Sequence, residues 1–239
     1  MQINWNYIKM IALLFVVSGL FAFSNQRSKT KKINGIEIQF IGDQNLYITE
    51  AMVNKLLIQN YGPLTNVAKE NLVLNTIEEV IETSDMVKNA QVYLTVNGEL
   101  TSKIVQRRPI GRIEGSTKFY LDDEGKRMPF SMSHSARVPI ITGKITGQSL
   151  EDVYEILKYI NLDDFLRKNV IGIHVEDESN YQLKFRLENF VVNLGDVDNL
   201  EEKFKNFKAF YVKANQDKTL EKFAIVSLEF NNQVVCTKI

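Results

Sequence analysis

Three adjacent carboxylates, Asp122, Asp123 and Glu124, are the densest group of candidate metal ligands in the chain. Carboxylate oxygens are the ligands that Ca²⁺ and Mg²⁺ prefer, so this run could in principle hold a cation. Neighbouring residues of a strand point to opposite faces, however, and the Gly125 that follows is typical of a tight turn. Because no His or Cys stands nearby, we predict a turn here and no metal site.

A second group of reactive residue types is the serine-rich run at 131–135 (SMSHS), which contains His134. Ser and His that are adjacent in sequence seldom reach the geometry of a catalytic triad, and the chain has no Gly-x-Ser-x-Gly motif. We therefore predict a loop at these residues. His174 lies in the alternating run 171–175, where a position on the surface of a sheet is expected. The sequence thus predicts no catalytic residue, no cofactor and no enzymatic activity.

The overall charge excludes further classes of function. Lys plus Arg and Asp plus Glu balance at 29 each, so no global field recruits nucleic acid or an acidic surface. The single cysteine, Cys236, excludes an intramolecular disulfide. With an apolar fraction of 44%, the chain is expected to be mostly globular, with one or two domains. Because no group of residues forms a recognisable site, no small-molecule substrate is expected.

The N-terminal region contains fourteen consecutive residues without a charge, 10–23, most of which are apolar. As a helix this run covers about 21 Å of a hydrocarbon core about 30 Å thick, a length that suits the apolar region of a signal peptide equally well. If Lys9 extends toward the head groups and the helix begins near Trp5 and Tyr7, the span reaches roughly 28 Å.

Cleavage by signal peptidase requires small residues before the cut, and the candidate Ala22-Phe23-Ser24 matches that pattern poorly. The sequence therefore favours an uncleaved transmembrane anchor at residues 8–24. A cytoplasmic tail at 1–7 is expected before it and a polar tether at 25–32 after it, so the rest of the chain is exported.

The next part of the chain predicts a small α+β unit in the order strand, helix, helix, strand, strand. Thr49 is a candidate N-cap for the first helix, and Gly62 supplies its end. Asn97-Gly98 between two alternating runs predicts a hairpin with a type I′ turn. In the second helix the glutamates Glu78, Glu79 and Glu82 are expected on the solvent side. The predicted elements are a strand at 33–41, helices at 49–61 and from 67 or 71 to 84, and strands at 90–96 and 100–107.

The remaining residues predict a mainly antiparallel β domain with two helices. Ser149 with Asp152, and Asp198 with Glu201, have the spacing of capping boxes, and apolar residues follow at helical period. The predicted helices are 149–161 and 200–214, and the predicted strands are 171–175, 181–187, 190–194, 223–230 and 233–238.

Four motifs in a fixed order make this sequence distinctive: residues 86–92 (MVKNAQV), 106–112 (QRRPIGR), 120–125 (YLDDEG) and 138–143 (VPIITG). Their order and spacing resemble those of the bacterial FtsQ/DivIB cell-division family. Where that family often has Glu-Arg-x-Pro-x-Ala, this chain has Gln106 and Gly111 at the outer positions.

The resemblance implies a single N-terminal transmembrane helix, a POTRA domain and a C-terminal β domain in the periplasm. We expect the POTRA domain at residues 33–108 and the β domain at 109–239. At the junction Pro109 lacks a backbone donor and biases Arg108 toward an extended conformation, so one strand can continue into the next unit.

The last strand is the candidate binding site. No element follows it to cover its edge, and an exposed edge can pair with a strand of another chain. In the family, this end of the β domain receives the partner proteins FtsB and FtsL, which implies partner binding by Phe230, Asn231, Asn232, Gln233, Val234 and Val235. The alternative is that Val234 and Val235 merely close the core.

These observations favour a non-enzymatic scaffold of the divisome at the septum, held in the inner membrane as a single-pass protein. The β domain is expected to bind FtsB and FtsL, and the POTRA domain to recruit other division proteins. One alternative is a POTRA-containing component of export or outer-membrane assembly. Another is a periplasmic enzyme with a cleaved signal, although no recognisable group of catalytic residues supports it.

Overall fold

A computed structural model describes residues 5–29, 32–42, 45–64, 67–68, 72–177, 179–230 and 233–239. The fold is mixed α/β, and the chain divides into two compact units, Met1–Gln106 and Arg107–Ile239.

The predicted transmembrane anchor at residues 8–24 is wrong. Helix α1 covers Trp5–Lys29, but in the stretches that the structure describes no helix is both long enough and apolar enough to cross a membrane. The physical reason is the shortness of the apolar part of α1, because residues 10–23, between Lys9 and the polar residues that begin at Ser24, cover only about 21 Å of a hydrocarbon core about 30 Å thick.

After α1, the first unit contains β1 (Gly35–Ile41), α2 (Glu50–Tyr61), α3 (Leu74–Glu82), β2 (Val87–Leu94) and β3 (Glu99–Gln106). Within the described residues these strands form a three-stranded sheet in the order β1-β3-β2. The β1–β3 pair is parallel and the β2–β3 pair is antiparallel. Strands β1 and β2 are therefore the two edges of this sheet.

Local signals in the sequence explain the boundaries of these elements. The Thr49 hydroxyl accepts a hydrogen bond from the Met52 N–H, as predicted for the N-cap of α2, and Gly62 ends the helix at a φ of 70°. The predicted hairpin between β2 and β3 is confirmed. Its turn is not type I′, because Gly98 has a positive φ of 90° while Asn97 does not. This pattern matches a type I turn followed by a left-handed glycine.

Gln106, where the related family often has Glu, anchors the loop before α2. Its Oε1 accepts hydrogen bonds from the N–H groups of Tyr47 (3.0 Å) and Ile48 (3.3 Å), and its Nε2 donates to the Ile48 carbonyl (3.0 Å). The side chain is buried. An ionised Glu could not make the third bond, since a carboxylate only accepts.

The second unit is built on a mixed sheet with three α-helices. Its elements are β4 (Pro109–Glu114), β5 (Lys118–Asp122), β6 (Arg127–Met128), β7 (Ile140–Gly143), α4 (Gly147–Leu162), α5 (Asp164–Asn169), β8 (Val170–Asp177), β9 (Asn180–Phe185), β10 (Val191–Gly195), α6 (Leu200–Gln216), a 3₁₀ turn (Leu220–Lys222), β11 (Phe223–Ser227) and β12 (Val235–Lys238). Within the described residues the sheet has nine strands in the order β12-β11-β10-β9-β8-β7-β4-β5-β6.

The structure corrects the predicted "mainly antiparallel domain with two helices" in two respects. Parallel pairs join β7 to both β4 and β8, and β10 to β11. Helix α5 is the additional helix, and Asp163 caps it by accepting from the N–H groups of Phe165 and Leu166. The predicted helix starts also shift: Thr146 caps α4, with Ser149 at the third position of the helix, and Asn199 precedes α6.

Helices and sheet of this unit share one core. Aromatic rings dominate its centre, where Phe207 packs on Phe185 with ring centroids 5.0 Å apart and Phe204 stacks on Tyr159 at 5.0 Å. Because α6 supplies Phe204 and Phe207, its aromatic stripe serves packing, as the sequence predicted. This core supports β10 and β11, which in turn position β12.

Candidate functional site: the open edge of the C-terminal sheet

Strand β12 is the outermost strand of the nine-stranded sheet. It pairs antiparallel with β11, with Ser227 opposite Val235 and Val226 opposite Cys236. In the part of the chain that the structure describes, no strand lies on its other side. The main-chain groups that point away from β11 are therefore open to a strand of another molecule.

The direction of each main-chain group along β12 follows from one hydrogen bond. The Ile239 N–H donates to the Lys222 carbonyl at 3.0 Å, so it points toward β11. Successive residues of a strand alternate in this respect, so the N–H groups of Thr237 and Val235 point the same way. By the same alternation, Cys236 and Lys238 direct their N–H and C=O groups outward.

The side chains at this edge separate into two sets. Val234 and Cys236 are partly buried and pack against the core of the second unit. Burial raises the pKa of the Cys236 thiol. Phe230, Val235 and Ile239 expose 50%, 41% and 86% of their surface, which leaves apolar groups available beside the open main chain.

The six predicted binding residues are placed as follows. Phe230 is exposed in the turn, where its carbonyl accepts a hydrogen bond from the Gln233 N–H at 3.4 Å. Asn231 and Asn232 lie outside the described residues. Val235 begins β12, two residues later than the sequence predicted, and Val234 precedes it. Partner binding by these residues stays a prediction.

A shallow cleft opens next to this hairpin. The residues that line it come from the start of α6 and from the hairpin: Asn199, Glu202, Lys203, Asn206, Leu228, Phe230 and Gln233. The ammonium of Lys203 binds Asp196 Oδ1 at 2.5 Å and the Asp196 carbonyl at 2.9 Å. The hydrogen bond from Lys203 is the largest effect on the Asp196 carboxyl and holds its pKa below the ordinary value of 3.8.

This pair predicts a small acid-dependent loss of stability. Because the pKa of Asp196 is lowered on folding, its contribution is present above about pH 3.8 and is lost as the pH falls through the folded-state value. Asp196 is half exposed, so we expect a contribution of only about 0.2–1 kcal/mol. Thermal melts at pH 6 and pH 3 should differ less for Asp196→Asn than for the natural chain. If Asp196→Asn keeps the natural pH dependence, the pair has no such effect.

The acidic run at 122–124 has a structural role. The Asp122 carboxylate is fully buried, and it binds Arg107 Nη1 at 2.8 Å. Its Oδ1 accepts hydrogen bonds from the N–H groups of Glu124 (2.9 Å) and Lys126 (2.7 Å), which closes the predicted turn. The Arg107 side chain is itself only 13% exposed. No local pattern predicts this pair, since its members are separated by fifteen residues.

The other reactive residue types are far apart in the chain and in the sheet. His174 lies on β8, exposed as predicted, with Nδ1 3.0 Å from the Thr142 hydroxyl. His134 lies in the loop between β6 and β7. Among the described residues, no group of three or more His, Cys, Asp or Glu side chains is placed to hold a metal ion.

An exposed edge strand can accept an extended segment of another protein as an added strand. A family model described as "FtsQ/DivIB, C-terminal related" matches residues 108–237, which is more than half of the chain. The chain therefore belongs to the FtsQ/DivIB family, a family of non-enzymatic bacterial cell-division proteins. A search of curated proteins found no match.

Proposed function

We propose that this chain is a non-enzymatic scaffold of the divisome that binds FtsB and FtsL through the open edge of β12. The observation that carries the proposal is the unpaired outer side of β12, the outermost strand of a sheet that the family match covers as far as residue 237. The proposal includes the domain limits 33–108 for a POTRA domain, which recruits other division proteins, and 109–239 for the β domain. It also includes a periplasmic location at the septum, which rests on the family resemblance.

The outward groups of β12 fit an extended partner segment. Cys236 and Lys238 each offer one N–H and one C=O, so an added strand could form up to four main-chain hydrogen bonds. Exposed Phe230 and Val235 lie beside them and can supply apolar contact. One added strand buries less than a standard interface of about 1,600 Å², so a micromolar dissociation constant is expected.

Proline substitutions on β12 distinguish strand addition from side-chain recognition. Lys238→Pro removes an outward N–H from an exposed position while leaving the pairing with β11 intact. A partner carbonyl would then be buried without a donor, at a cost of about 1–3 kcal/mol, or roughly 5- to 150-fold in affinity. The measurement is the affinity of the purified full chain for the FtsB–FtsL complex. Lys238→Ala is the matched control, because it removes the same side chain and keeps the N–H.

Two further results complete the test. Thr237→Pro removes an N–H that points toward β11, so it should lower the melting temperature of the chain, whereas Lys238→Pro should not. Strand addition at β12 is contradicted if Lys238→Pro binds like Lys238→Ala. If export or outer-membrane assembly proteins, and not FtsB and FtsL, are recovered with the chain, the divisome proposal itself is wrong.

A further inference from the structure

The outer edge of β2, in the first unit, is occupied by side chains. The Ala90 N–H donates to Glu82 Oε1 at 2.8 Å, and the Val92 N–H donates to Glu78 Oε1 at 2.6 Å. Both glutamates belong to α3, and Glu82 also accepts from Asn89 Nδ2 at 3.2 Å. The sequence placed these glutamates on the solvent side of the helix. Glu82 is exposed as predicted and Glu78 is half-buried, but both carboxylates accept hydrogen bonds from β2, which the sequence did not predict.

The spacing of the two elements makes this arrangement possible. Residues four apart on a helix lie on one face and are separated by about 6 Å along its axis. Residues two apart on a strand are separated by about 6.6 Å, and their N–H groups point to the same side. Glu78 and Glu82 therefore match Val92 and Ala90 in turn, and their carboxylates take the positions that the carbonyls of a neighbouring strand would fill.

We propose that Glu78 and Glu82 close the β2 edge against pairing with a second copy of the same strand. Charge-assisted hydrogen bonds from a carboxylate are about twice as strong as neutral ones, so an incoming carbonyl is at a disadvantage. Edges of sheets that carry no such protection are sites of unwanted association. The contrast is β12, where, among the described residues, no side chain accepts from the outward N–H groups of Cys236 and Lys238.

The geometry of β2 identifies a second copy as the strand that is excluded. The two outward donors that the glutamates occupy, at Ala90 and Val92, are symmetric about Gln91. Two copies in antiparallel orientation could place Ala90 of one opposite Val92 of the other, with four main-chain hydrogen bonds about a two-fold axis. The inference concerns the first unit alone and does not depend on partner binding at β12.

The test compares self-association of full-length variants by sedimentation over a range of concentrations. Glu78→Ala/Glu82→Ala exposes both donors and should associate more strongly than the natural chain, by about tenfold or more. Glu78→Gln/Glu82→Gln keeps an acceptor oxygen at each position but loses the charge, so it should associate less than the double-alanine variant and more than the natural chain. Glu79→Ala is the matched control, because it removes an exposed glutamate of the same helix.

Amide exchange in the natural chain provides a result that does not depend on how the variant folds. After correction for intrinsic rates, the Ala90 and Val92 amides should exchange at least about tenfold more slowly than the outward amides of Cys236 and Lys238. Equal rates would overturn the proposal. The proposal would also be overturned if the double-alanine variant folds but associates no more than the natural chain. It would likewise be overturned if this variant associates while its Ala90 and Val92 amides still exchange rapidly.

Discussion

Replacing Asp122 by Ala is expected to lower the free energy of unfolding by about 3–5 kcal/mol, because it removes one partner of a buried ion pair. The Arg107 guanidinium, 13% exposed, loses its 2.8 Å contact, and the N–H groups of Glu124 and Lys126 lose their acceptor. Chemical denaturation of the two proteins measures the difference.

An exposed ion pair provides the control for this prediction. Asp177 binds the Lys144 ammonium at 2.9 Å with both side chains about three-quarters exposed, so Asp177→Ala should change stability by less than about 1 kcal/mol. If Asp122→Ala lowers the free energy of unfolding no more than Asp177→Ala does, then burial of the ion pair and the hydrogen bonds of the turn contribute little to stability. Asp122→Asn should fall between the two, since its amide oxygen can still accept from the turn.

The second large effect is expected at Gly111, where a Cβ atom would lie 2.3 Å from Leu157 Cδ1 of α4 and 3.0 Å from Ile141 Cδ1. Gly111→Ala should therefore destabilise the chain by about 1–3 kcal/mol through overpacking. The close approach of β4 and α4 explains why glycine, and not the alanine common in the family, suits this chain.

A double-mutant cycle identifies the contact responsible. Leu157 is fully buried, so Leu157→Ala alone should cost about 2–5 kcal/mol. If the clash with Leu157 is the cause, Gly111→Ala/Leu157→Ala should be more stable than the sum of the single changes predicts by about 1 kcal/mol or more. Additive losses would contradict this explanation. Gly147→Ala, with nothing within 4 Å of the added carbon, is the control and should not destabilise.

Features set by neighbouring residues could be predicted from the sequence. The Thr49 cap, the stop at Gly62 and the hairpin turn at Gly98 depend on local conformation and on hydrogen bonds within a few residues.

Features that depend on distant partners could not be predicted. The sequence predicts Asp122 only as a turn residue, because its partner Arg107 is brought beside it by the fold. The sequence predicts Glu78 and Glu82 on the solvent side, because their contacts with β2 form only when β2 packs along α3. The parallel pairing of β7 with β8 could not be predicted either, because it joins two strands that are separated by two helices in the chain. It requires Gly143, at a φ of 101°, where a Cβ would lie 2.0 Å from the Val175 carbonyl oxygen.

The candidate site shows the same limit. Residues 230–235 could be chosen from the sequence, but the direction of each N–H could not, because it depends on the register with β11. The observed register moves the candidate binding groups toward the C-terminus of the strand. Cys236 and Lys238, which lie in the predicted strand but outside the six predicted binding residues, carry the outward groups, whereas Val235 directs its N–H into the sheet.

The most direct test of partner binding at this edge is amide exchange of the full chain with and without the FtsB–FtsL complex. Strand addition predicts that the Cys236 and Lys238 amides, open in the free protein, slow by about tenfold or more at saturating partner. The Thr237 amide, already directed at β11, should change little. If the complex binds and the exchange of Cys236 and Lys238 is unaltered, the partner does not add a strand to β12 and the central claim is wrong.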